Sequence, residues 1–160
     1  MSSSKPAAKD ALATSTLRYA RVGVRSSRDV LTYLARHGAS PSAAARILAD
    51  CRGLGLLDDR AAARLWAGQW ARRGYAAAAI RLKLQAKGFE ARISDQAVAH
   101  AGLASDDDET RARLLVTSSL RRHATGVGRS QRLARVLASR GFEPELIDRV
   151  LPCETSDAER

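Results

Sequence analysis

The sequence predicts an all-α fold: three tandem three-helix repeats forming an elongated, curved array. Three observations predict it. The apolar residues, 45% of the chain, are mostly Ala and Leu, which lose little side-chain freedom in a helix. Prolines number only 4, and no long alternation of β-branched residues is present. Finally, one landmark recurs three times, a helix ended by a glycine and followed at once by a short amphipathic helix. Its copies are VLTYLARHGASPSAAARIL, IRLKLQAKGFEARISDQAV and LARVLASRGFEPELIDRVL.

The elements follow in order. Residues 1–11, rich in Ser, Ala and Lys, read as a disordered arm. The first repeat, 12–57, opens with a weak helix from about Leu12 to Val22, ahead of a Ser26/Ser27 cap. The second, 58–105, opens at Asp58-Asp59 with RAAARLWAGQWARRG, and the third, 106–152, at Asp107-Asp108-Glu109 with TRARLLVTSSLRRH. Acids at the start and arginine pairs at the end (Arg72-Arg73 and Arg121-Arg122) complement the helix dipole. The tail, 153–160, is polar and reads as disordered.

Within the landmark, Gly38, Gly88 and Gly141 align at spacings of 50 and 53 residues. Eight residues before them stand Val30, Ile80 and Leu133, and four before them Leu34, Leu84 and Leu137. Apolar positions follow as well: Ala39, Phe89, Phe142, then Ala43, Ile93, Leu146, then Ile47, Ala97, Val150. Residues four apart share one helix face. Glycine suits the left-handed residue just past a helix end, where a Cβ is strained. Ser40 with Pro41, and Glu143 with Pro144, then start the next helix. A period near 50 residues, in units that cannot bury their own faces, marks stacked helical repeats.

Net charge is +10 with a pI near 10.7, which favours a polyanionic partner through counterion release. The charge is segregated. Arg60 to Phe89 holds seven Lys/Arg and no acid, and Thr110 to Phe142 eight Arg and no acid. Candidate contacts to nucleic acid or partner are Arg64, Arg72, Arg73, Arg81, Lys83, Lys87, Arg121, Arg122, Arg132, Arg135 and Arg140. Lys87 and Arg140 match, each one residue before the landmark glycine. The same residues also fit a solvated face with cations at helix C-termini.

Other chemistry is scarce. Cys51 and Cys153 lack the spacing of a zinc site or a disulfide framework, and suit a reducing cytoplasm. His37, His100 and His123 form no triad or metal pattern, and Asp106 to Glu109 lacks the alternation of a calcium loop. Gly126-Val127-Gly128 has no phosphate-loop context and reads as a turn. No catalytic constellation, cofactor or metal is expected, and no apolar run is long enough to span a membrane. Trp66 and Trp70 lie four apart on one helix. Trp66 aligns with Leu115 and is expected in the core, whereas Trp70 aligns with Ser119 and is expected partly exposed. Tyr33 is expected at a repeat boundary.

The run GLGLLDDRAAARLWAGQWARRGYAAAAIRLKLQAKGFE resembles the core of the RecX family of bacterial regulatory proteins. It carries a Gly-Leu-Leu-Asp-Asp start, a Trp/Arg-rich helix, a glycine and an Ile-Arg-x-x-Leu-x-x-Lys-Gly turn, and the resemblance extends over about residues 17 to 151. Position 62, where the family usually has an aromatic, is Ala. The resemblance implies a crescent-shaped monomer that binds RecA recombinase filaments on DNA. It would restrain their ATPase, extension and strand exchange, in homologous recombination, DNA repair and the SOS response. Two other expectations stand beside it, the first supported equally well by charge. One is a protein binding single- and double-stranded DNA, or RNA, directly without a recombinase target; the other is a scaffold for an acidic protein.

Overall fold

The computed structural model describes residues 4–103, 107–122 and 128–151. Among them the chain forms nine helices and no strand: α1 (Ser4–Arg21), α2 (Ser27–Arg36), α3 (Pro41–Gly53), α4 (Asp59–Arg72), α5 (Ala77–Ala86), α6 (Ala91–His100), α7 (Asp107–Arg122), α8 (Arg129–Ser139) and α9 (Pro144–Val150). The tail 153–160 and the residues Asp106, His123, Gly126 and Val127 lie outside the described residues. No helix among the described residues is long and apolar enough to cross a membrane.

The helix starts follow local chemistry. Ser26 and Asp29 form a reciprocal capping box at α2, Ser40 caps α3 with Pro41 in its first turn, and Asp58 accepts from the amides of Arg60 and Ala61 at α4. One boundary differs from expectation. α1 begins at Ser4, not near Leu12, so residues 4–11 are helical where a disordered arm was expected. The run Pro6-Ala7-Ala8-Lys9 explains it, with proline tolerated in a first turn and strong helix formers behind. Among the described side chains of α1, those packed on the core begin at Leu12.

The helices pack within triplets: α1–α3, α4–α6 and α7–α9 each surround an apolar cluster. The landmark positions lead these cores. Val30, Leu34, Ile80 and Leu84 are wholly inaccessible, and Leu133 and Leu137 nearly so. Each such side chain contributes roughly 1.5–3 kcal/mol by leaving water. Ile47, Ala97 and Val150 are also buried, while Ala43, Ile93 and Leu146 are only half-buried. The third helices turn an adjacent face inward as well, through Leu48 and Cys51 in α3, Ser94 and Val98 in α6, and Ile147 in α9. Ala62 is buried beside Ala63, so the site usual for an aromatic here belongs to the α4 core.

The triplets join through a junction that occurs twice. The Ser26 hydroxyl donates to the Lys87 carbonyl (3.1 Å), and the Ala76 amide donates to the Arg140 carbonyl (3.0 Å). The Ser27 amide donates to the Asp59 carboxylate (2.7 Å), and the Ala77 amide to the Asp108 carboxylate (3.1 Å). At each junction, then, the middle helix of one triplet is capped by the leading acid of the next. For α5 this replaces a local cap, because Ala76 supplies no side-chain acceptor. The landmark glycines sit at the same seam. Gly88 and Gly141 have φ of +89° and +80°, and a Cβ there would strike the Arg28 side chain and, at 2.5 Å, the Ala79 Cβ.

Candidate basic interface

The eleven basic candidates fall into two sets. Arg64, Arg72, Arg73 and Arg121 lie on the first helices of the second and third triplets or at their ends, all exposed. Arg122 closes α7, and its side chain lies outside the described residues. The other six belong to the middle helices. Among these, Arg132 and Arg135 are exposed on α8.

The rest of the middle-helix set is engaged. Arg81 pairs with Asp95 of α6. The Lys83 ammonium lies over the Tyr75 ring at 4.5 Å and near that of Trp70 at 5.9 Å, while the Lys87 ammonium lies 4.1 Å over Trp66. Such cation–π contacts hold a lysine by its ring at about 0.5–1 kcal/mol when exposed, and they leave the charge in place. Arg140 is half-buried with its guanidinium against Gly74. The matching places of Lys87 and Arg140 have a further physical role: the carbonyls of these two residues accept the junction hydrogen bonds.

The two tryptophans reverse the expected order. Trp70 is 8% exposed and belongs to the α4–α6 core, whereas Trp66 is half-exposed beneath Lys87. Alignment with Leu115 suggested otherwise, because position 66 packs only at the core margin and Trp70 replaces a serine by filling space. Tyr33 also departs from expectation. It stacks on Tyr19 (4.4 Å between centroids) and on His37 (4.1 Å), inside the first triplet rather than at a boundary.

The charge blocks did not point to several other groups. Arg25 lies 4.4 Å over Tyr19, and Arg52 donates to the Ser27 hydroxyl. Glu109 gathers Arg113 (2.7 Å) from its own helix and Arg149 (3.3 Å) from α9. The hydrogen bond from Arg113 holds the Glu109 carboxyl below its ordinary pKa. Asp59 and Asp108 act as junction caps, and Asp108 also pairs with Arg111. Their similar spacings from Ser27 and Ala77, 32 and 31 residues, were visible in the sequence, but no local rule points an acid backward across a repeat. Among the described residues, no group of three or more His, Cys, Asp or Glu could hold a metal ion.

What the arrangement offers chemically is a set of exposed cations on packed helices. Exposed guanidiniums recur at matching places, Arg72 and Arg121 each near the end of a first helix. Such groups bind phosphates and carboxylates through paired N–H donors.

No family profile matches the chain. Two regulatory proteins do, both named RecX, from Streptomyces coelicolor and Streptomyces lividans. Each is 32% identical over 131 residues, covering 79% of this chain and 68% of the relative. In fold, the chain is similar to the crystal structure of RecX from Lactobacillus salivarius. The TM-score is 0.70 at 16% identity, over 90% of this chain and 94% of the other. A second crystal structure of regulatory protein RecX gives a TM-score of 0.68 at 20% identity, over 89% and 71%.

Proposed function

The chain belongs to the RecX family of regulatory proteins, and from that premise we propose that it binds RecA recombinase filaments on DNA and restrains their ATP hydrolysis, extension and strand exchange. It acts by binding alone, as a cytoplasmic monomer, without catalysing a reaction or carrying a cofactor. The observation that carries the reading is the recurrence of exposed arginines at matching places on α4 and α7. A filament is itself a repeating object, so a binder with repeated contacts gains avidity by touching neighbouring protomers at once. Bridging them stabilises a state that neither extends nor exchanges, which shifts a population without chemistry. Arginine contacts to the filament's DNA would add a salt-dependent share.

The +10 net charge favours a second reading, direct binding to DNA with no recombinase target. One titration separates the two. The protein is added to RecA filaments preformed on single-stranded DNA while ATP hydrolysis is followed, beside naked DNA at the same salt. Slowing at substoichiometric protein, with weak binding to bare DNA, is the outcome expected of a filament regulator. Slowing only once the DNA is saturated would leave a plain nucleic-acid binder.

A further inference from the structure

The second and third triplets differ at one place in a way that leaves a vacancy. Trp70 on α4 is buried in one apolar cluster with Ile80 and Leu84 of α5. The matching residue on α7 is Ser119, and the matching pair on α8 is Leu133 and Leu137. With no indole present, α7 and α8 border two adjoining open cavities of about 210 and 190 Å³ that share Ser119, Leu133 and Val136 as lining. Arg129 and Arg132 also line the first, and Leu115, Leu137 and Arg140 the second. Among the described residues, no acid lines either cavity.

We propose that this α7–α8 groove receives an aromatic side chain carried on an acidic segment of a protein partner. The size of the occupant follows from the sister triplet, where a tryptophan at the matching place belongs to the buried cluster with Ile80 and Leu84. Its flanking charge follows from the lining arginines, which suit carboxylates. A nucleobase fits less well, because the floor is aliphatic and offers no ring to stack on. The groove deepens the filament reading and rests on it for the partner's identity: the contact is to the filament's protein rather than its DNA. Buried aromatic anchors commonly dominate interface affinity.

The test uses the full chain with methyl-labelled Leu and Val, titrated with a short peptide bearing one tryptophan between aspartates. Saturable shifts at Leu133 and Val136 are expected. Ser119→Trp, which fills the groove from within, is expected to abolish them and to require roughly 30-fold more protein for half-inhibition of filament ATP hydrolysis, the loss typical of one anchor. If Ser119→Trp fails to fold, Val136→Asp serves, since Val136 is 42% exposed and tolerates a polar group. The proposal is overturned if the peptide gives no shifts or if they persist in the filled variant. It is equally overturned if single-stranded DNA, not the peptide, moves these methyls. If the peptide binds as expected but the parent leaves filament hydrolysis unchanged, the filament reading fails and the groove stands.

Discussion

Gly88 and Gly141 each satisfy two demands at once: a left-handed backbone after a helix, and a surface bare enough for the preceding triplet to touch. Gly38, the first of the series, has φ of +72° but nothing near its missing Cβ. Alanine at 38 is therefore expected to cost only the backbone strain, about 1–2 kcal/mol. Alanine at 141 is expected to cost clearly more, because Ala79 must move. Urea unfolding of both variants measures the difference, and equal losses would mean that the seam is slack. Cys51 makes a different kind of residue-scale statement. It is wholly inaccessible, and burial raises its thiol pKa. Because the reactive species is the thiolate, alkylation of Cys51 near neutral pH is expected to be slow in the folded chain and complete in urea, read by peptide mapping.

For the helices themselves, the decisive groups are the acids that cap a neighbour. Asp59→Ala and Asp108→Ala each remove a bond to the first amide of another triplet's middle helix, with an expected loss of about 0.5–2 kcal/mol. Asp108→Ala should sit at the upper end, since α5 has no cap of its own and Arg111 loses its carboxylate. Thermal unfolding followed by circular dichroism decides it. The Glu109 cluster that ties α9 to α7 behaves differently with pH. Its folded-state pKa lies below the unfolded value, so its contribution is present above the ordinary glutamate pKa and fades as pH falls through the lowered one. The pairs are largely exposed, so added salt is expected to weaken them as well.

Across the whole molecule, charge has two kinds of work. Arg81, Lys83 and Lys87 are engaged by Asp95 and by aromatic rings, whereas Arg72, Arg73, Arg121, Arg132 and Arg135 stand open to a partner. Reversing Arg72 and Arg73 together to glutamate is therefore expected to weaken filament inhibition at least tenfold while leaving the melting temperature within a few degrees. Full inhibition by the double variant would remove the α4 end from the contact surface. Arg81→Glu should act through stability instead, by repelling Asp95.

Much of this was legible in the chain itself. The all-α class, the landmark at Val30, Leu34 and Gly38 and its two later copies, and the caps at Ser26, Ser40 and Asp58 depend on helix period and local hydrogen bonding. These act over a few residues, so spacing alone reveals them. Family membership was legible for the same reason, through an ordered run of such local elements. Three features were decided only by tertiary packing. Trp70 rather than Trp66 enters the core, because the packing of α5 and α6 on α4 covers position 70 and leaves position 66 at the core margin. Asp59 and Asp108 reach back to Ser27 and Ala77 across about 30 residues, a partnership that exists only once triplets stack. The groove at Ser119 is a vacancy between two helices, and empty volume has no residue of its own to be read.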